Sequence, residues 1–314
     1  MLAPTSSSLQ ADSVLGGVLN GMSIRTIETL YEQVRATVPV PQSSGVTPVV
    51  TTVVPGIRML ALRTPTLTPA AHTNDYLVGP TSGPVAVVDP GSPYPDQQAV
   101  LDDFLAEVPI ACVLLTHHHG DHIGGAAALA ARWGAPIAAH AATARRLEGI
   151  VEVTQVIEDG GLVYGMTALH TPGHAEGHLC FEHVASRATI AGDMVAGVGT
   201  ILIDPSEGDM ALYLASLERL LARPAAALLP AHGPAIADGP AKLREYLAHR
   251  RMREDRVIAS LTEVPTSLDG LLPMSYGDTP RVLWPLAERS LRAHLDKLVA
   301  EGRARLHDEA RWSR

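Results

Sequence analysis

Four candidate metal ligands in the pattern H-x-H-x-D-H fall within six consecutive positions of the string THHHGDHIGG, Thr116 to Gly125: His117, His119, Asp121 and His122. Imidazole nitrogen and carboxylate oxygen suit borderline cations such as zinc, and the alternate spacing of H-x-H-x-D-H lets two pairs of ligands address two ions. Three further candidates stand apart in the chain: His174 in TPGHAEGH, Asp193 in AGD and His232 in PAHG. Two cations roughly 3.5 to 4 Å apart would share a bound water and pull its pKa from about 15.7 toward neutrality. The chemistry expected is hydrolysis by a metal-bridging hydroxide, with the ions polarising a carbonyl or phosphoryl oxygen. Such a site needs no protein nucleophile, and the serines of the chain are not read as a Ser-His-Asp arrangement.

Converging such scattered residues requires a rigid scaffold, and each candidate follows an apolar, strand-like run. Short apolar or alternating runs begin near residue 48 with VVTTVV, MLALRT, NDYLVG and VAVVDPG. A helix around Pro95 to Glu107 follows, then the strand ACVLLT, an Ala-rich helix from about Ile123 to Trp133, and the strand PIAAH. A second group (GLVYGMTALHT, HLCFEHV, RATIAGD) leads to an amphipathic helix with Leu214, Leu217 and Leu221 on one face, then the strand AAALLPAHG. Strands and helices alternating in two such halves predict an αββα sandwich over residues 48–240. Residues 1–47 read as an N-terminal extension with a candidate helix from Ser23 to Thr37.

After Pro240 the pattern predicts three helices and a short strand, RARLHD, with Gly302 ending the last helix. This is a winged helix over residues 246–314. Val257, Leu261, Leu268, Leu271, Leu272, Leu291, Leu295 and Leu298 supply its apolar faces.

The order H-x-H-x-D-H, TPGH, GD and PAHG resembles the metallo-β-lactamase superfamily. The resemblance implies that His117, His119 and His174 hold a first ion, that Asp121, His122 and His232 hold a second, and that Asp193 bridges them. Asp121 and Asp193 would be the catalytic carboxylates, and the ions two zinc, or manganese or iron. Asp89 in VVDPG matches the family's early Asp and would orient the ligating histidines. GDMALYLASLERLL, HGPAIADG and the tail resemble the branch with a C-terminal winged helix, the beta-lactamase-like protein two type. PTLTPAAHTNDYLVG departs from that branch, carrying His72 and Asp75 where it reads closer to GTNTYLVG. His72 and His178 are candidates for substrate contact, against a solvated loop histidine and a hydrogen-bonding core histidine. His118, His140 and His170 read as structural.

A chain of 314 residues, 46% hydrophobic and 18% charged, can bury a large core and a small second one. Its net charge of −9 argues against a general nucleic-acid binder. From His249 onward 12 basic face 10 acidic residues, so the acidity lies in the body. Cys112 and Cys180 sit in apolar runs and read as buried thiols. No export signal and no apolar run able to span a bilayer is evident, so a cytoplasmic protein without membrane contact is expected, with homodimerisation left open. A small acyl substrate (ester, thioester or lactone) is preferred over single-stranded RNA, cleaved by an endoribonuclease activity that the winged helix keeps in play. A non-enzymatic, metal-stabilised binding scaffold would be signalled by a missing ligand, and none is missing.

Overall fold

The structure, a computed structural model, describes residues 24–38, 48–106, 108–223 and 226–314. Helix α1 (Ile24–Thr37) is the helix expected in the N-terminal extension; the rest of that extension up to residue 47 lies outside the described residues.

Apolar runs without polar interruption demand cover on both faces, and the first sheet shows how that is met. Strands β1 (Thr51–Val54), β2 (Ile57–Arg63), β3 (His72–Val78) and β4 (Val85–Val88) are antiparallel neighbours. The sheet continues in parallel with β5 (Ile110–Leu114), β6 (Ile137–Ala139) and β7 (Gln155–Val156). Within β4, Val85 and Val87 face an outer core shared with Leu101 and Leu105 of α2 (Pro95–Leu105), whereas Ala86 and Val88 face an inner core. The second sheet runs β12-β11-β10-β9-β8, from β8 (Leu162–Val163), β9 (Met166–His170), β10 (Leu179–His183), β11 (Thr189–Gly192) and β12 (Leu228–Pro230). Phe181, Met166, Ile190 and Leu229 of this sheet meet Ile57, Tyr76, Val88 and Leu114 of the first in that inner core. Its outer face carries α6 (Met210–Leu221) and α7 (Gly239–Ser260). Helix, sheet, sheet, helix is the layering expected from the sequence.

Two elements differ in detail. The helix expected from Ile123 to Trp133 is two helices, α3 (Gly120–Ile123) and α4 (Ala126–Trp133), broken at Gly124–Gly125. There the backbone runs against the Pro90–Pro93 loop so closely that a Cβ on Gly124 would stand 2.6 Å from Gly91 O. The break lets α3 carry Asp121 and His122 separately from the body of α4. GLVYGMTALHT is a hairpin, not one strand: β8 and β9 are joined through Tyr164 and Gly165, both at positive φ, as a tight two-residue turn requires. The short α5 (Ala141–Arg146) follows β6.

The tail forms its own core. Strand β13 (Thr266–Ser267), α8 (Leu268–Tyr276), α9 (Trp284–Ala300), β14 (Arg305–His307) and β15 (Arg311–Ser313) give a three-stranded wing, β13-β15-β14, on three helices. Val257, Leu261, Leu271, Leu272, Leu291, Leu295 and Leu298 are buried together as expected, with Leu268 at the margin, and Tyr276 and Trp312 complete the cluster. Fully burying a side chain of this size stabilises by about 1.5–3 kcal/mol. Helix α7 runs unbroken from Gly239 to Ser260, across the expected boundary: Leu243, Tyr246 and Leu247 pack on the sandwich and Val257 in the winged-helix core. Among the described residues, no helix is long and apolar enough to cross a membrane. Both cysteines are buried and free.

Candidate metal centre

All seven candidate ligands come from segments that leave the sheets at one edge. His117 and His119 follow β5, Asp121 and His122 sit on α3, His174 follows β9, Asp193 follows β11 and His232 follows β12. The two sheets are laced together there, since Leu179 N–H donates to Thr116 O at 2.8 Å. Gly192 makes the exit toward Asp193 at φ +48°, where a Cβ would stand 2.6 Å from His178 Nε2. The His232 loop is clamped by β3: Asn74 Nδ2 donates to Pro230 O and Gly233 O, each at 2.8 Å, and Tyr76 donates its hydroxyl to Pro230 O at 2.7 Å.

The side chains gather into two triplets. Nδ1 of His119 stands 2.9 Å from Nε2 of His117 and 3.0 Å from Nε2 of His174. Nε2 of His232 lies 3.5 Å from Asp121 Oδ2, and Nε2 of His122 lies 3.9 Å from Asp121 Oδ1. Asp193 stands between them. Its Oδ2 is 3.5 Å from His174 Nε2, and its Oδ1 is 3.4 Å from His232 and 3.6 Å from His122. Both triplets, and His117, His122 and Asp193 together, have ligand atoms close enough to hold an ion.

Hydrogen bonds at the far side of each ring fix which nitrogen is free. His174 Nδ1 donates to Leu202 O at 2.8 Å and His232 Nδ1 to His72 O at 3.0 Å. His122 Nδ1 donates to Asp89 Oδ2 at 2.9 Å, and His119 Nε2 to Glu207 Oε1 at 2.8 Å. Thr116 gives its hydroxyl proton to Asp89 Oδ2 at 2.6 Å, so its oxygen accepts from His117 Nδ1 at 3.0 Å. In all five histidines the nitrogen turned inward is thereby the one that carries the lone pair when the ring is neutral, the form a cation needs. His122 Nε2 and Asp193 Oδ1 are buried with no hydrogen-bond partner among the described residues. Unsatisfied buried polar atoms are costly, and a cation between the triplets would satisfy both, so the donor set fits a metal pair.

Electrostatics divide the five: His117 and His174 are lowered, while His119, His122 and His232 are raised, burial being outweighed by the carboxylates around them. Burial pushes the His117 imidazole well below its usual pKa and that of His174 down to about 4, favouring the neutral ligand form. Burial opposes charge on His122 too, but Asp193, Asp121 and Asp89 outweigh it and raise its pKa well above the ordinary value. Burial likewise opposes charge on Asp193, which His232 and His122 nevertheless hold well below the carboxylate range. The centre of the site is a field that welcomes positive charge.

Asp89 lies buried at φ +50°, a backbone region that L-residues seldom occupy. The His178 ring is fully buried, with Nε2 accepting from Asp193 N–H at 3.1 Å and Nδ1 bonded to Thr171 Oγ1 at 2.9 Å, the environment of the hydrogen-bonding core histidine weighed for it in the sequence. It holds the Asp193 backbone. His72 opens β3 and reaches the site through its carbonyl on His232. Asp75 lies under the Pro90–Ser92 loop, Oδ1 accepting from Gly91 N–H at 3.4 Å, and burial pushes its carboxyl well up. His118 turns from the triplets to Glu207 Oε2, 3.0 Å away. Glu207, Thr116 and the Leu202 carbonyl were not found by sequence reasoning. None lies in a metal-ligand spacing, and Glu207 is 88 residues from His119; its one signal is its place beside the quoted GDMALYLASLERLL string.

Comparison with known proteins places the chain. The Metallo-beta-lactamase superfamily model matches residues 68–232, and a Beta-lactamase associated winged helix domain matches 267–312. A lactamase-like protein (vrtG) of Penicillium aethiopicum is 34% identical over 77% of this chain and 84% of its own. A Beta-lactamase-like protein 2 homolog of Drosophila melanogaster is 28% identical over 76% of this chain and 86% of its own. An Atrochrysone carboxyl ACP thioesterase of Claviceps purpurea is 33% identical over 66% of this chain and 67% of its own. Among solved structures, a metallo-beta-lactamase family protein of Thermus thermophilus shares the fold at a TM-score of 0.70, with 23% identity, covering 84% of this chain and all of the other. With its sandwich, its histidine and aspartate cluster and its winged helix, the chain belongs to the metallo-β-lactamase superfamily of hydrolases.

Proposed function

We propose that this hydrolase is dinuclear, with His117, His119 and His174 on one ion, Asp121, His122 and His232 on the other, and Asp193 between. The ions would be zinc, or manganese or iron, and the substrate a small ester, thioester or lactone. The observation that carries the reading is the two triplets with one Asp193 oxygen turned to each. When bound, a metal pair supplies a hydroxide nucleophile near neutral pH and polarises the oxygen of the scissile group. The chain's own part is to present five neutral imidazoles and to fix their tautomers through Asp89, Thr116, Glu207 and two carbonyls. Asp121 and Asp193 supply the negative charge that balances the cations. We take residues 48–240 as the catalytic unit and 246–314 as the winged helix that borders it.

The small acyl substrate is supported by charge. Six of the winged-helix cations are tied to carboxylates: Arg253 and Arg256 to Asp278, Lys297 and Arg303 to Glu254, Arg289 to Asp204, and Arg292 to Asp296. Paired cations release few counterions from a polyanion and give it little affinity. The thioesterase names among the relatives favour the thioester within this class. Two measurements test the reading on protein never exposed to chelator: elemental analysis, expected near two equivalents of transition metal, and turnover of a short acyl thioester against single-stranded RNA. Absence of stoichiometric metal overturns the dinuclear site. RNA cleavage with no thioester turnover overturns the substrate.

A further inference from the structure

The five histidines draw their outer partners from two parts of the chain, and two of the first triplet share one of them. His122 and, through Thr116, His117 are held by Asp89 at the end of β4, and His232 by the His72 carbonyl on β3. His119 and His174, by contrast, are both held by one loop, residues 201–208, through the Glu207 carboxylate and the Leu202 carbonyl. That loop is gripped from the other side by the C-terminal helices. Arg289 on α9 forks onto Asp204, Nε to Oδ2 at 2.7 Å and Nη2 to Oδ1 at 2.6 Å, and Arg250 on α7 donates to the Ile201 carbonyl.

Inside the loop the same aspartate sets the turn that aims Glu207. Asp204 Oδ1 accepts from Ser206 N–H at 2.9 Å and its hydroxyl at 2.6 Å, and Asp204 O accepts from Glu207 N–H at 3.2 Å and Gly208 N–H at 2.7 Å. The loop then seats on the His174 turn, Asp209 N–H donating to Gly173 O at 2.8 Å. Asp204 is 2% exposed and the Glu207 side chain 8%, so water competes with neither contact.

We propose that Glu207 and Arg289 are positioning residues for the first ion: the winged helix, through the Arg289–Asp204 fork, fixes the loop that orients His119 and His174 and leaves the second triplet untouched. This rests on the reading of His117, His119 and His174 as the ligands of one ion. A carboxylate taking the distal proton of a ligating imidazole fixes the ring and raises its basicity, and loss of such a partner costs about 10- to 100-fold in metal affinity. A planar guanidinium holds a carboxylate in two places, which a lysine cannot reproduce.

The test is titration of the full, metal-stripped chain with cobalt(II) alone, read from its visible absorption and by chelator competition, in two backgrounds. His232→Ala disables the second triplet and His174→Ala the first. Glu207→Gln and Arg289→Met are expected to weaken cobalt binding about 10- to 100-fold in the His232→Ala background, with an altered absorption band, and to leave binding in the His174→Ala background within twofold. If circular dichroism shows that Arg289→Met does not fold, Arg289→Lys is read in its place, with a smaller loss expected in the same background. Equal affinity in both backgrounds, or equal loss in both, overturns the proposal. Failure of the unsubstituted chain to take up cobalt overturns instead the metal reading beneath it.

Discussion

Oδ2 of Asp89 lies 2.9 Å from Nδ1 of His122, and the same oxygen accepts the hydroxyl of Thr116, which in turn receives His117 Nδ1–H. One carboxylate oxygen thus reaches a ligand candidate in each triplet. Asp89→Asn keeps the shape but puts an amide where two donors converge and removes the charge. Metal content measured after limited chelation is expected to fall at both sites, by about 10- to 100-fold in affinity. Selective loss at one site would show that the Thr116 link does not transmit orientation.

Asp193→Ala removes an oxygen from each triplet while deleting little apolar packing. Hydrolysis is expected to fall by more than the roughly 100-fold upper cost of losing an outer partner, with the circular dichroism spectrum unchanged. His118→Ala should stay within about tenfold, because Glu207 Oε1 still accepts from His119. Matching losses from the two substitutions, in a thioester assay, would undo this division of roles.

His294 is fully buried on α9 with neither ring nitrogen bonded among the described residues. Burial first, then Arg250, Lys297, Arg253 and His249, press its pKa from 6.5 down to about 3. The unfolded chain therefore binds this proton more readily, so the contribution to stability is complete above about pH 6.5 and declines as pH falls from there toward 3. The slope from this group approaches about 1.4 kcal/mol per pH unit. Urea unfolding between pH 7 and 5 should show it, and His294→Phe should flatten it; an unchanged slope in the variant would assign the acid sensitivity elsewhere.

Trp312 of β15 is fully enclosed by the winged-helix core, with the Arg292 guanidinium 5.4 Å from its ring centre. Trp312→Ala should cost about 3–5 kcal/mol of unfolding free energy, with elemental analysis still finding the metal in the fraction that remains folded. A loss under about 1 kcal/mol would mean that the wing is peripheral to that core.

The ligand candidates were legible because the chemistry repeats a recognisable event: an apolar run ends and a histidine or aspartate follows. His174 and His232 are 58 positions apart in the chain, yet both announce themselves this way. Their outer partners do not. A backbone carbonyl such as Leu202 O carries no residue-type signal, and Glu207 looks like any loop acid until folding brings it to His119. The αββα order and the helices of the tail were readable from periodicity, but the Gly124–Gly125 break was not, because its cause is the Pro90–Pro93 loop, distant in sequence. The paired wing strands β13 and β15 are two and three residues long, too short to show a period.

Helix α7 also has a mechanical meaning. Its first turns belong to the sandwich and its last to the winged helix, and Ala293 of α9 is buried with the sandwich residues. A continuous helix between two cores acts as a strut where a linker would act as a joint. Swinging one part away from the other would mean bending α7 or unpacking Tyr246 and Leu247. The same strut couples the melting of the two cores: calorimetry of the whole chain should record a single transition, and a protease should find no exposed joint at which to divide them.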